Sequence, residues 1–344
     1  MRPLLRKVTL LIRSPLYASA AIGLGISSLA LAACASSATP SALSGQFGPA
    51  LRPATATPTP IPFKFQTVDD PRSNYNEVTA INQLRKVVGV WGGGSGSTVW
   101  QSYSARPPYT NLRNMNFPNS QGTFATSLTS NKSIAGYVLD PKHLHGVYGF
   151  VENNLKWTLF RDPNGAKGKH AVTEILGIND TGLAVGFYKS AGSGNTEVPF
   201  ELNVQSTTYT DLSPPEAIGD AAATGINGKG DITGYEKTSA GVKGFFLQAG
   251  TYYPFYYTGA LATYALSLNW SEQVVGYYVD ASHMPHGFLL IGPTRGGGAQ
   301  DWQTIDAPGA VGTVVTGINN HHDICGFYID ASGIQHGFVA VPVQ

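Results

Sequence analysis

The sequence predicts an all-β protein, a six-bladed β-propeller closed by an N-terminal strand, and two observations carry that prediction. Glycines 89, 136, 186, 234, 276 and 326 each end a short apolar run, and their spacings of 47, 50, 48, 42 and 50 residues fall in the range of propeller blades. Seven residues before each glycine stand Asn82, Thr129, Asn179, Asn227, Asn269 and Asn319, each preceded by Ile or Leu. Five asparagines in six registered positions mark a repeat.

The elements follow from the N-terminus. Arg2, Arg6, Lys7 and Arg13 form a basic start, an apolar stretch runs from Leu16 to Ala33, and the segment ends Leu31-Ala32-Ala33-Cys34. Basic start, apolar run and small-residue end together predict a signal peptide over residues 1–33. Leu31 to Cys34 also resembles a bacterial lipobox. The resemblance implies cleavage before Cys34 and lipid attachment to its sulfur, giving a membrane anchor at the outer membrane or cell surface; simple secretion is the alternative. Residues 34–61 are rich in Ala, Ser, Thr and Pro, too poor in large apolar side chains to build a core, and read as a tether. The domain expected to fold is 62–344.

Phe65-Gln66-Thr67-Val68-Asp69 reads like Trp302-Gln303-Thr304-Ile305-Asp306, which follows the fifth unit, whereas the sixth unit ends too soon for a fourth strand of its own. The N-terminal strand is therefore expected to complete the sixth blade and remove an open sheet edge. Within each unit, Ala80, Ser127, Gly177, Gly225, Ser267 and Gly317 occupy one small-residue position, expected where six innermost strands converge on an axis. The asparagine two residues on is expected to start a turn through its side chain. Glycine stands fourth in that turn at 182 and 230, but Arg85, Lys132, Glu272 and His322 stand there elsewhere, so the turns need not be identical. Next come runs such as Val87-Val88-Gly89-Val90-Trp91, apolar on successive residues and so covered on both faces. A third strand is visible in His286-Gly287-Phe288-Leu289 and His336-Gly337-Phe338-Val339.

Composition bounds the chemistry. Without the leader the chain keeps 18 basic and 21 acidic residues, a formal charge of −3, with no basic stripe to attract nucleic acid. With Cys34 lipidated, Cys325 is the one remaining thiol, and it fills a position held elsewhere by Val88, Ala135, Val185, Thr233 and Val275, so it reads as a buried small side chain. The histidines do not predict a metal site: His286 and His336 recur in register, and no paired-ligand motif occurs. Asp69 and Asp306 match as strand-end residues, while Asp140, Asp280 and Asp330 match as turn residues. No nucleophile elbow is present, no catalytic residue is singled out, and no cofactor is expected.

The strongest binding signal is Tyr252-Tyr253-Pro254-Phe255-Tyr256-Tyr257, five rings in six residues, with Tyr253, Tyr256 and Tyr257 as candidate ligand-binding residues. Against it stands the plainer reading of an outer strand and hairpin, since tyrosine favours strands.

Units such as Gly317-Ile318-Asn319 to Gly326-Phe327-Tyr328, then His336-Gly337-Phe338, with Thr304-Ile305-Asp306-Ala307-Pro308-Gly309-Ala310 ahead, are similar to bacterial extracellular repeat proteins of the HAF type. The likeness is strong in the last two units, recognisable over about residues 63–344 and weak in the first two, where no His-Gly-Phe triplet stands in register. It implies a secreted or surface-attached propeller and carries over no catalytic residue. Two function classes follow: a propeller lipoprotein that binds a carbohydrate or protein partner, or an envelope polysaccharide hydrolase or lyase.

Overall fold

The structure, a computed structural model, describes residues 60–92, 100–191, 195–293 and 301–343. Its strands form five antiparallel four-stranded meanders and a last three-stranded one that gains its fourth strand from the N-terminal side, with parallel bridges between Val242 and Ala262 and between Tyr75 and Gln335 joining neighbouring units. The first unit holds β2 (Tyr75–Ile81), β3 (Val87–Gly92), β4 (Gln101–Ala105) and β5 (Arg113–Asn114). The second holds β6 (Gly122–Leu128), β7 (Ile134–Leu139), β8 (Val147–Asn153) and β9 (Lys156–Phe160). In the third are β10 (Thr173–Ile178), β11 (Leu183–Lys189), β12 (Glu197–Asn203) and β13 (Thr208–Asp211). The fourth runs through β14 (Ala221–Ile226), β15 (Ile232–Thr238), β16 (Gly241–Gln248) and β17 (Thr251–Phe255). The fifth consists of β18 (Ala262–Leu268), β19 (Val274–Val279), β20 (Pro285–Ile291) and β21 (Asp301–Ile305). Last in the chain come β22 (Gly312–Ile318), β23 (Ile324–Ile329) and β24 (Gln335–Pro342). Their fourth strand is β1 (Phe63–Val68), antiparallel to β24 from Phe63 opposite Pro342 to Val68 opposite Gly337.

The recurrent glycine has a steric cause. Every first strand carries a bulge at one position, occupied by Thr79, Thr126, Leu176, Thr224, Leu266 and Thr316. The bulge brings a carbonyl of the first strand over the second. A Cβ on Gly136 would lie 1.9 Å from the Phe124 carbonyl oxygen, and one on Gly186 1.8 Å from that of Glu174. Only glycine leaves room there.

The hairpins that follow the first strands share one geometry although their fourth residues differ. All six turns share a left-handed residue at the same place: Arg85, Lys132, Gly182, Gly230, Glu272 and His322 have φ between 57° and 88°. A type I turn followed by a left-handed residue closes a three-residue hairpin loop, and the pairing of Asn82 N with the Lys86 carbonyl, repeated through Asn319 N with Asp323, fixes that loop length. Glycine makes the conformation easy; the hairpin imposes it regardless.

Packing runs from unit to unit. Val88 shares a core with Phe150 between the first and second units, as Val151 does with Ile175, Val185 with Phe245, Phe246 with Phe288, and Leu289 with Phe338 along the chain. Val78, Val87 and Tyr103 of the first unit share a further core with Cys325 and Val339 of the sixth. The small residues meet across the first strands, as their side chains require: a Cβ on Gly225 would lie 2.9 Å from the Ser267 Cα, and one on Gly317 3.2 Å from the Ala80 Cα.

Candidate ligand-binding site

Each first strand ends in an aliphatic residue followed by the asparagine, or by Thr129 in the second unit, and these ends surround one pocket of about 180 Å³ lined from all six units. The asparagine does two jobs. Its Oδ1 accepts backbone N–H groups two and four residues on, as at Leu84 and Lys86 for Asn82, which holds the hairpin loop. Its Nδ2 donates to the neighbouring unit: Asn82 to the Thr129 carbonyl, Asn179 to Asn227, Asn227 to Asn269, Asn269 to Asn319, and Asn319 to Asn82, at 3.0 to 3.3 Å. Thr129 has no amide, and there the second and third units are joined by Ser130 N donating to Asp180 Oδ1 at 2.7 Å. The bulge threonines add a second tier, with Thr79, Thr126, Thr224 and Thr316 donating through Oγ1 to carbonyls of Ala125, Ile175, Ala265 and Val78.

The rim is set by the residue after each asparagine: Gln83, Ser130, Asp180, Gly228, Trp270 and Asn320. Trp270 N donates to Asn320 Oδ1 and Asn320 N to Gln83 Oε1, both at 2.9 Å. Trp270 is 55% exposed. Its indole leans across the fourth unit, where a Cβ on Gly228 would lie 2.4 Å from the indole nitrogen. Glycine at 228 is what lets that ring lie over the backbone. An exposed indole beside a ring of amides, hydroxyls and one carboxylate offers an apolar face and polar handles together.

Deeper along the first strands the side chains are buried. Glu77, Phe124, Glu174, Ala222, Tyr264 and Val314 stand at equivalent positions and are all buried. Phe124 stacks on Tyr137 at 4.7 Å and Tyr264 on Tyr277 at 4.8 Å. Burial, and then the neighbouring Glu197 carboxylate, push the Glu174 carboxyl up to about 8. Tyr235 OH donates to Glu197 Oε2 at 3.2 Å. These acids sit beneath the surface among aromatic rings rather than facing an open cleft.

The recurrent histidines and aspartates of the sequence are joined in pairs. His336 Nδ1 meets Asp69 Oδ2 at 2.6 Å and its Nε2 lies 3.5 Å from Asp330. His286 is held in the same way between Asp306 at 3.0 Å and Asp280 at 3.6 Å. Each imidazole also stacks on a tyrosine, Tyr328 and Tyr278 respectively. The clamp thus ties a fourth strand to the turn before the third, and at Asp69 that strand is β1. Among the described residues no group of three or more His, Cys, Asp and Glu side chains is arranged to hold a metal ion. Cys325 is fully buried, and burial pushes its thiol up to about 12.

The candidate tyrosines do not form one face. Tyr257 stacks on Tyr278 at 3.8 Å and meets Trp302 edge-on, and Tyr253 packs beside Phe246, both against the core of the fourth and fifth units. Tyr256 is 58% exposed, with Lys243 Nζ 5.6 Å from its ring centre. Cys34 lies outside the described residues. Trp270 escaped sequence reading because it follows the asparagine in one unit only; its apolar ring in a polar turn was the available signal.

No protein-family model and no curated protein sequence matches the chain. Solved structures do. A protein of unknown function from Dyadobacter fermentans aligns with a TM-score of 0.51 at 11% identity, over 81% of this chain and 99% of that one. AofleA from Arthrobotrys oligospora aligns at 0.48 and 11%, over 85% and 96%. TolB from Acinetobacter baumannii aligns at 0.45 and 10%, over 71% of this chain and 60% of TolB's length. At such identities the likeness is one of fold alone. The chain is all-β, and its structural neighbours are β-propellers.

Proposed function

We propose that the chain is a propeller lipoprotein of the bacterial envelope that binds the end of a carbohydrate chain in the axial pocket. The six units would be blades of one closed ring, with β1 as the outer strand of the sixth. The core shared by Val78 and Cys325, the Asn319 to Asn82 bond and the β1–β24 pairing support this reading. The HAF-type resemblance agrees with it, and Leu31 to Cys34 supports lipid attachment at Cys34, hence an outer-membrane or cell-surface address.

The observation that carries the binding reading is the exposed Trp270 indole at the rim of a polar pocket. The pocket volume lies below the 300 to 1,000 Å³ typical of sites that enclose a small molecule, which suits a chain end rather than a whole ligand. The test is a glycan array probed with the detergent-solubilised full chain and its Trp270→Ala variant. The parent should retain a subset of glycans and the variant should lose them; equal retention by both removes Trp270 from the site.

The alternative is a polysaccharide hydrolase or lyase, and release of reducing ends from envelope polysaccharide by the full chain would establish that activity. Glu174 does not favour it, because the burial that raises its carboxyl also keeps it out of the pocket.

A further inference from the structure

We infer that the axial pocket selects a glycan end bearing a positive charge, an unacetylated amino sugar. This rests on the carbohydrate reading above and names the ligand class within it. Of the residues lining the pocket, Asp180 is the sole charged one, and it is exposed. Its Oδ1 accepts from Ser130 N, and no hydrogen bond within the described residues engages its Oδ2.

Order around the rim places the charge and the ring on either side of Gly228. Asp180 belongs to the third unit, Gly228 to the fourth and Trp270 to the fifth, and the indole lies across Gly228 toward the third unit. An indole face and a carboxylate flanking one opening attract a cation by two routes, through the ring quadrupole and through direct charge. The cations of the neighbouring turns do not line the pocket. Arg85 is paired with Asp323 at 2.8 Å and Lys229 with Glu272 at 3.0 Å, while His322 Nδ1 contacts Gln273 at 2.7 Å. Lys132, in the turn that bonds Asp180, is exposed to solvent and stands outside the lining.

The rest of the rim argues for a polyol around that ammonium rather than the aliphatic stem of a lysine. The carboxamide NH₂ groups of Gln83 and Asn320 and the Ser130 hydroxyl have no hydrogen-bond partner within the described residues. They are spaced around the mouth as donors for ring hydroxyls.

The experiment titrates the detergent-solubilised full chain with a glucosamine tetramer and with its fully N-acetylated counterpart at pH 6. The chain length and linkage are the same; the charge differs. The glucosamine tetramer should bind about tenfold more tightly than the acetylated one, and Asp180→Asn should erase that preference while leaving melting unchanged. Equal binding of both tetramers, or a preference that survives Asp180→Asn, overturns the cationic ligand and leaves the carbohydrate reading in place. Binding of neither tetramer, with no glycan retained on the array, overturns both. Binding of a lysine-rich peptide through Asp180 and Trp270, with neither tetramer bound, assigns the same chemistry to a protein ligand and likewise overturns the amino sugar.

Discussion

At the scale of single residues, the repeat is enforced by sterics and strained backbone more than by side-chain chemistry. Gly136 faces the Phe124 carbonyl so closely that a methyl group has no space. Gly136→Ala should cost about 3 kcal/mol, the upper range for overpacking. Lys132 is the opposite case, an exposed side chain at φ 82°. Lys132→Gly relieves a left-handed conformation and should stabilise by about 1 kcal/mol. Denaturant midpoints of the two variants should move in opposite directions. Glu174 gives a pH signature. Its folded carboxyl titrates at about 8 against an ordinary 4.5. The stability tied to the neutral form is therefore fully present below pH 4.5 and lost as the pH rises through 8, because the unfolded chain ionises first. Urea titrations should show the parent weakening from pH 5 to pH 8, and Glu174→Gln weakening less over the same range. A parallel decline in both would place the titrating group elsewhere.

Between elements, the informative contacts join residues far apart in sequence. The match of Gln66-Thr67-Val68-Asp69 to Gln303-Thr304-Ile305-Asp306 was enough to pair β1 with the last strand, because a strand copied outside its unit needs an edge to join. The clamp that secures it was not legible. Asp69 and His336 are 267 positions apart, and each was readable only as a recurring residue type. The same limit applies to the asparagines. Their spacing announced a turn, whereas their cross-unit Nδ2 bonds depend on the neighbouring hairpin lying alongside, which no local pattern encodes. Deleting residues 61–69 should expose the β24 edge, lower the melting temperature and promote concentration-dependent aggregation, measured by differential scanning calorimetry and light scattering. Unchanged melting would mean that β1 contributes nothing to holding the sixth unit.

For the molecule as a whole, architecture and chemistry differ in how far the sequence exposes them. Six copies of Gly and the small residue, with Asn in five of them, make the fold readable, since every copy repeats one geometric demand. The site is built from what differs among copies: Trp270 and Asp180 each occur once at the rim position, so the repeat pattern hides them. The aromatic run at 252–257 drew attention by density, yet two of its three candidate rings lie against the core. Membrane attachment is tested independently of all this: Cys34→Ala should move the chain from the detergent phase to the aqueous phase, and continued detergent partitioning would refute a lipid on that sulfur.

The axial pocket is tested most directly by tryptophan-specific NMR. The chain has five tryptophans, so 5-fluorotryptophan labelling of the full chain gives five sites, with the Trp270 resonance assigned by Trp270→Phe. On titration with the glucosamine tetramer, the Trp270 resonance should shift in proportion to occupancy while that of Trp302, which touches Tyr257, stays still. A shift at Trp302 with Trp270 unmoved would put the ligand at the tyrosine-rich hairpin and contradict a binding site on the axis.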